Sequence, residues 1–215
     1  MGPLQQDDTL YVSTGQLPSP EQVRRAVDEA YERYRAAAGG QRSQVYPALA
    51  RVPADLFGIC AVGTRGGVHA TGDADHGFAI MSVAKPFVFA LVCQALGPEE
   101  ARDLLGTNAT GLPFNSLAAV ERGPDGRTNP MVNPGAIATA SLAPGRGAEA
   151  RWGFLRDGLS RFAGRPLSLD EEVYASASAT NTATGPWPTC WRATVASAAI
   201  RSRPSTCTPG RAACG

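Results

Sequence analysis

The sequence lacks the features that mark membrane and nucleic-acid-binding proteins. Its 215 residues hold 20 Lys and Arg against 19 Asp and Glu, and no basic block stands out, which argues against nucleic-acid and membrane-surface partners. No apolar run reaches membrane-spanning length, because Lys85, Pro86 and Gln94 interrupt the longest one. The N-terminal segment is polar and acidic, unlike a signal peptide. We therefore expect a cytoplasmic protein.

Residues that bind metals or form disulfides are also scarce. The five cysteines are odd in number and include no C-x-x-C pair, which argues against a disulfide framework or a zinc site. His69 and His76 have no cysteine or carboxylate partners at ligand spacing, so we expect surface or strand positions for both. No metal or organic cofactor is predicted. The length of 215 residues predicts one domain, or a large part of one, with a real core.

Lysine is almost absent, because Lys85 is the only one and every other basic side chain is arginine. Ser82 precedes Lys85 by three positions, so the two side chains share one face if the segment is helical. A serine hydroxyl needs a base to become a nucleophile, and a lysine of lowered pKa can be that base, whereas arginine cannot. The spacing alone leaves two interpretations open: a nucleophile with its base, or an ordinary residue near a helix end.

The remaining sequence alternates helix and strand signals. Ser19 followed by Pro20 predicts the start of a helix that Gly39 and Gly40 end. A hairpin is predicted from two apolar runs around a glycine turn. The predicted elements are a helix to about Ala38, strands over 56–62 and 68–71, an apolar helix over 86–96, a short helix ending at Gly106, an amphipathic helix over 151–163, and a last helix after Leu169.

Two Asn-Pro pairs lie close together in the segment from Asn129 to Ala136. Such pairs are unfavourable inside helices and strands, so we predict a loop here. The loop is either an ordinary surface turn or a rigid segment that presents asparagine side chains to a ligand. An asparagine both donates and accepts hydrogen bonds, which suits the recognition of an amide or an amino acid.

Several of these segments, in this order, resemble the serine-dependent glutaminases, which hydrolyse L-glutamine. The matching segments are Leu56 to Gly58, Thr71 to Asp73, Phe78 to Lys85, Gly111 to Ser116, Asn129 to Ala136, and Val173 to Ser176. The resemblance implies an α/β fold of the serine β-lactamase and DD-peptidase type, in which helices flank a mixed sheet beside a helical subdomain. It also implies a homotetramer, with L-glutamine as the substrate.

The resemblance assigns the site residue by residue. Ser82 would be the catalytic nucleophile and would also contact substrate, Lys85 would be its base, and Asn133 would bind the substrate. Three positions depart from the family pattern. Met81 stands where the family has glutamine, Val45 where it has a tyrosine (Tyr46 is the nearest one), and Ala177 where it has a substrate-binding glutamate. The last change removes a carboxylate that would pair with the ammonium group of the substrate.

The composition changes after Thr182. Residues 183–215 hold three of the five cysteines and two of the three tryptophans, but no Asp or Glu. If one nucleotide is restored to the coding DNA just after the codon of Thr182, the translated sequence becomes amphipathic and resembles the family. In that reading frame Asn and Tyr stand where the chain has Thr184 and Thr208. We therefore predict a frameshift, or a sequencing error, and a truncated domain. The predicted divisions are an N-terminal extension (1–18), a partial glutaminase domain (19–182) and an out-of-frame tail (183–215).

Three functional hypotheses follow from these observations. The first is a glutaminase that works through a serine acyl-enzyme. The second is an inactive fragment of such an enzyme, because the family's later residues would be missing. The third is a related β-lactamase or peptidase acting on cell-wall amides, against which the Asn129 to Ala136 loop and the absence of a signal peptide argue.

Overall fold

A computed structural model of the chain describes residues 15, 17–44, 46–116, 118–180 and 200–201. These residues form two compact units. The first contains the described residues of 1–40 and 55–74, and the second contains those of 41–54 and 75–215. The division predicted after residue 18 stays a prediction, and the one predicted after Thr182 lies outside the described residues.

The first unit is a helix, α1 (Pro20–Tyr34), with a hairpin of strands β1 (Gly58–Val62) and β2 (Val68–Gly72). Its start follows from the sequence, because Ser19 and Gln22 form a capping box that satisfies the free N–H groups of the first turn. The strands are antiparallel, with Val62 opposite Val68 across the predicted turn. Tyr31 of α1 stacks on Phe57 at 5.5 Å between ring centroids.

Helix α1 ends four residues earlier than the sequence predicts. Arg35 is its C-cap, and the alanines at 36–38 lie exposed beyond it. Alanine has a high helix propensity, but propensity alone gives little stability to a terminal turn that buries no apolar surface. The last partly buried side chain of the helix is Tyr31, so a further turn over 35–38 would bury no apolar surface, and the prediction of a helix to Ala38 is wrong for this reason.

The second unit is mostly helical. Its longest helices are α3 (Ala84–Leu96) and α7 (Ala148–Ala163), both predicted within three residues of their starts. Strands β3 (Ser168–Leu169) and β4 (Ile200–Arg201) pair antiparallel, with Ser168 opposite Arg201 and Leu169 opposite Ile200. The other elements are α2 (Pro47–Ala50), a 3-10 turn (Met81–Val83), α4 (Pro98–Leu105), α5 (Ala118–Glu121), a 3-10 turn (Pro124–Gly126), α6 (Asn133–Ser141), β3 (Ser168–Leu169), α8 (Glu171–Thr180) and β4 (Ile200–Arg201).

The main core of this unit lies where α3, α6 and α7 meet. Its buried members are Ala84, Val88, Leu91, Ala140, Ala143, Leu155, Leu159 and Leu167. Helix α3 has almost no polar side chain after Lys85, which agrees with its central position. Gly158 lets α7 approach α3 closely, because a Cβ at this position would lie 2.4 Å from Cδ1 of Leu91.

A second, smaller cluster joins α2 to α8. Ala48 and Val173 are buried in it, and Met81 and Tyr174 pack against them. A hydrogen bond of 3.1 Å from the Ala48 N–H to the Ser176 Oγ connects the same two helices. This cluster therefore supports the segment that leads into Ser82.

The segment Asn133 to Ala136 is the first turn of α6 rather than part of a loop. The prediction of a loop through Ala136 is wrong because a proline is unfavourable only where its missing N–H would be needed. Pro134 lies in the first turn, where the N–H groups have no partner within the helix. The first Asn-Pro pair, at Asn129, does lie in a loop, as predicted.

Candidate active site

Ser82 lies in the 3-10 turn that leads directly into α3. Met81 before it has a φ of 44°, which is a left-handed conformation that a side chain of this size rarely adopts. This turn redirects the chain from Ile80 into the helix. The Ser82 side chain is exposed, and its hydroxyl forms no hydrogen bond with any residue that the structure describes. A nucleophile has to be accessible in this way to reach its substrate.

Lys85 lies in the first turn of α3, three residues after Ser82, which belongs to the 3-10 turn that precedes this helix. Its Nζ donates a hydrogen bond of 2.7 Å to Oδ1 of Asn133 and one of 3.1 Å to the carbonyl oxygen of Met131. The ring of Phe114 lies beside it, with its centroid 5.9 Å from Nζ. The structure thus brings Lys85 and Asn133 into direct contact, although 48 residues separate them along the chain.

Burial lowers the pKa of Lys85, because the ammonium loses part of its hydration. Among the ion pairs of the described residues, none involves Lys85, so no carboxylate opposes this shift. Its partners are neutral oxygens. A half-buried lysine with neutral partners has the environment that a general base requires.

Two loops hold the groups around Lys85. The Asn133 N–H donates a hydrogen bond of 2.7 Å to the carbonyl of Phe114, which connects α6 to the loop over 107–116. Asn129 bridges the same two segments, since its Nδ2 donates to the Asn108 carbonyl at 3.2 Å and its Oδ1 accepts from the Met131 N–H at 2.8 Å. The loop conformation is therefore fixed on both sides of Lys85.

Sequence reasoning gave no role to Phe114 or Met131, and it considered Asn129 only as part of a segment that could present asparagine side chains to a ligand. Met131 contributes a backbone carbonyl, and no side-chain pattern predicts such a contact. Asn129 did carry a signal, because asparagine before proline often accepts a hydrogen bond from the N–H two residues later. The exposed Phe114 is part of a motif that carried the family resemblance, but that motif gave no role to the ring.

The positions that depart from the family pattern lie in different surroundings. Ala177 is buried in α8, with 2% of its surface exposed. Tyr46 is half-buried just before α2. Met81 forms the left-handed turn described above. Val45, Thr184 and Thr208 lie outside the described residues.

Other kinds of site find little support in the part of the chain that the structure describes. No group of three His, Cys, Asp or Glu side chains there could hold a metal ion. No single described helix has the length and hydropathy to cross a membrane, although the bent pair Met81–Leu96 and Pro98–Leu105, at 119°, meets both criteria together. His69 lies in β2 and His76 is exposed.

Comparison with known proteins identifies the family. The sequence model of the Glutaminase family matches residues 40–185. Glutaminase 2 of Yersinia pestis is 62% identical over 171 residues, which are 80% of this chain and 50% of that protein. A glutaminase of Brucella canis is 46% identical over 160 residues, which are 73% of this chain and 50% of the relative. The chain thus spans about half the length of the curated relatives it matches.

Solved structures agree with this result. A probable glutaminase, ybaS, superposes with a TM-score of 0.78 at 30% identity, covering 86% of this chain and 65% of that one. Mglu in its L-glutamate-binding form superposes with a TM-score of 0.75 at 27% identity, covering 87% of this chain and 46% of that one. The predicted α/β fold of the serine β-lactamase type is confirmed by these neighbours. The chain belongs to the Glutaminase family.

Proposed function

We propose that this chain carries the catalytic pair of a glutaminase, which hydrolyses L-glutamine to L-glutamate and ammonia. The observation that carries the proposal is the placement of its only lysine. Lys85 follows the exposed Ser82 by three residues at the start of α3, and its Nζ is half-buried among neutral oxygens. Burial lowers the pKa of Lys85, so a larger fraction of it is neutral and able to accept a proton.

The reaction would be acyl transfer to water in two steps. Lys85 Nζ takes the proton of Ser82, and Oγ bonds to the side-chain amide carbon of glutamine. The C–N bond then breaks, and the amide nitrogen leaves as ammonia with the proton from Lys85. Water next attacks the ester carbon, so that glutamate leaves and the Ser82 hydroxyl is restored. No metal or organic cofactor takes part in these steps.

Asn133 would hold the amino-acid end of the substrate, as the family resemblance implies. Its Oδ1 accepts a hydrogen bond from Lys85, and its side-chain Nδ2 forms none with the described residues. That nitrogen is free to donate to a substrate carboxylate. Binding by Asn133 would thus place the substrate next to the proposed base.

The test is ammonia release from L-glutamine by the purified full chain. We expect turnover that falls by at least about 1,000-fold in Ser82→Ala. Lys85→Arg should fall similarly, because arginine keeps the positive charge but cannot accept a proton. Ser43→Ala, in an exposed loop, serves as the matched serine control and should keep full activity.

Each other outcome favours a different hypothesis. A folded chain without turnover would support the inactive fragment, and turnover that survives in Ser82→Ala would exclude the proposed nucleophile. Hydrolysis of a chromogenic β-lactam, with no ammonia from glutamine, would support the β-lactamase or peptidase alternative.

We also propose a cytoplasmic homotetramer, since the family resemblance implies that assembly. Light scattering on the purified chain measures its mass directly. A monomer at micromolar concentration would contradict this part of the proposal.

A further inference from the structure

The Asn129 side chain uses both ends of its amide to fix the loop that faces Lys85. Its Oδ1 accepts from the Met131 N–H, which closes a turn of the Asx type. Its Nδ2 donates to the Asn108 carbonyl in the neighbouring loop. The Asn129 backbone carbonyl accepts from the Val132 N–H at 3.1 Å. Three hydrogen bonds thus leave this residue little freedom to move.

The two oxygens that contact Lys85 Nζ flank this turn. The Met131 carbonyl follows the N–H that Asn129 holds, and Asn133 begins α6 two residues later. The start of α6 also packs directly on Asn129, because a Cβ at Gly135 would lie 2.0 Å from the Asn129 carbonyl oxygen. The two oxygens therefore belong to one rigid piece of backbone that Asn129 holds together.

The number of these oxygens matters for the chemistry of a neutral amine. A neutral lysine has two N–H bonds and one lone pair on Nζ. The Met131 and Asn133 oxygens take both N–H bonds, so the lone pair points in the one remaining tetrahedral direction. A base works only when its lone pair meets the proton that it removes. The positions of the two oxygens thus decide whether Lys85 can act.

We propose that Asn129 is a positioning residue that directs the lone pair of Lys85 by fixing the Met131 carbonyl and the first turn of α6. The inference rests on the proposed function for its catalytic meaning. Its structural part, the control of the Lys85 surroundings, stands independently of turnover. Asn129 acts through Met131 and Asn133 and does not itself touch Lys85 in this network.

The single lysine allows a direct test on the whole chain. Incorporation of lysine labelled with ¹³C at Cε gives one side-chain signal, whose chemical shift against pH reports the pKa of Lys85 alone. The variant Asn129→Leu has a side chain of similar volume but lacks the hydrogen bonds to the Met131 N–H and the Asn108 carbonyl. We expect this change to release the Met131 carbonyl, so that water replaces it as a partner of Lys85 Nζ. Hydration favours the ammonium, so we expect the pKa of Lys85 to rise towards the ordinary lysine value.

Two further variants separate positioning from a loss of packing. Asn129→Ser restores a shorter acceptor for the Met131 N–H and should bring the pKa of Lys85 back towards that of the original chain. Asn108→Ala removes an exposed amide from the partner loop but keeps the carbonyl that Asn129 uses, so the pKa should not change. Circular dichroism checks the folding of each variant, and Asn129→Ala replaces the leucine variant if that one is unfolded.

The activity measurement is separate and tests the catalytic part. We expect kcat to fall about tenfold in Asn129→Leu with a smaller change in KM, because a misdirected base slows the chemical step. An unchanged pKa of Lys85 in a folded Asn129→Leu variant would overturn the proposal. An equal rise in Asn108→Ala would overturn it as well. A chain without turnover contradicts the proposed function but leaves the titration as a full test of the structural part.

Discussion

Replacing Gly158 by alanine should destabilise the second unit, although alanine is the better helix former. The new Cβ would lie 2.4, 2.6 and 3.1 Å from the Cδ1, Cδ2 and Cγ atoms of Leu91. Leu91 is 2% exposed and packed in the main core, so it cannot rotate away without displacing its neighbours. The clash therefore falls on the contact between α3 and α7.

The size of the effect follows from two opposing contributions. The change from glycine to alanine inside a helix gains about 1 kcal/mol. Overpacking of a buried site costs about 1–3 kcal/mol. We expect a net loss of about 1 kcal/mol in the free energy of unfolding. Gly153→Ala is the matched control in the same helix, because nothing lies within 4 Å of its added Cβ. It should stabilise the chain by up to about 1 kcal/mol.

Leu91→Ala removes the group that causes the clash, which allows a double-mutant cycle. Alone it should cost about 2–5 kcal/mol, because it leaves a cavity in the core. The double variant Leu91→Ala/Gly158→Ala should lose less free energy of unfolding than the two single variants lose together, by about 1–3 kcal/mol, because the new methyl group occupies part of that cavity. Urea unfolding followed by circular dichroism measures all four free energies. Additive losses, or a stabilising Gly158→Ala, would refute the close contact of α3 and α7 at this point.

Two further predictions concern single titratable groups. Burial lowers the pKa of Lys85, so between that lowered pKa and the ordinary value of 10.5 the unfolded chain binds more protons than the folded one, and stability contributed by this group rises with pH. Lys85→Met should remove this rise. Urea unfolding midpoints of the original chain and the variant, measured at several pH values up to 10.5, test this expectation. A difference between the two midpoints that stays constant with pH would contradict it. Burial raises the pKa of the Cys93 thiol, whereas Cys60 is exposed on β1, so iodoacetamide should modify Cys60 faster. Peptide mass spectrometry after short reaction times measures the two rates, and equal rates would count against the burial of Cys93.

Capping residues and turn glycines in the sequence predicted those helices and strands whose ends are set by a few neighbouring residues. The capping residues of α1 and the glycine turn of the hairpin are contained within a few neighbouring positions, so Ser19 and the 64–67 turn could be identified directly. The four-residue helix α5 could not, because it is too short to show a period. The end of α1 was missed because burial, rather than propensity, decides where its last turn stops.

The candidate site divides in the same way. The spacing of Ser82 and Lys85 is local, so the sequence alone could predict the pair, and the structure has Ser82 in the 3-10 turn just before α3 and Lys85 in the first turn of α3. The oxygens around Lys85 come from residues 46 and 48 positions later, and one of them is a backbone carbonyl. Folding brings these groups together over a distance that no short pattern contains. The family resemblance supplied Asn133 but not its contact with Lys85.

The left-handed backbone at Met81 bears on the order in which the chain folds. A methionine does not adopt this conformation by local preference, so its side-chain packing with α2 and α8 has to hold it. Val173 in that cluster lies far later in the chain than Ser82. Contacts of such long sequence separation require the closure of a large loop and form late. We therefore expect the turn at Ser82 to take shape only after α8 docks, so that helix α3 forms first and the serine reaches its final geometry in the last steps of folding.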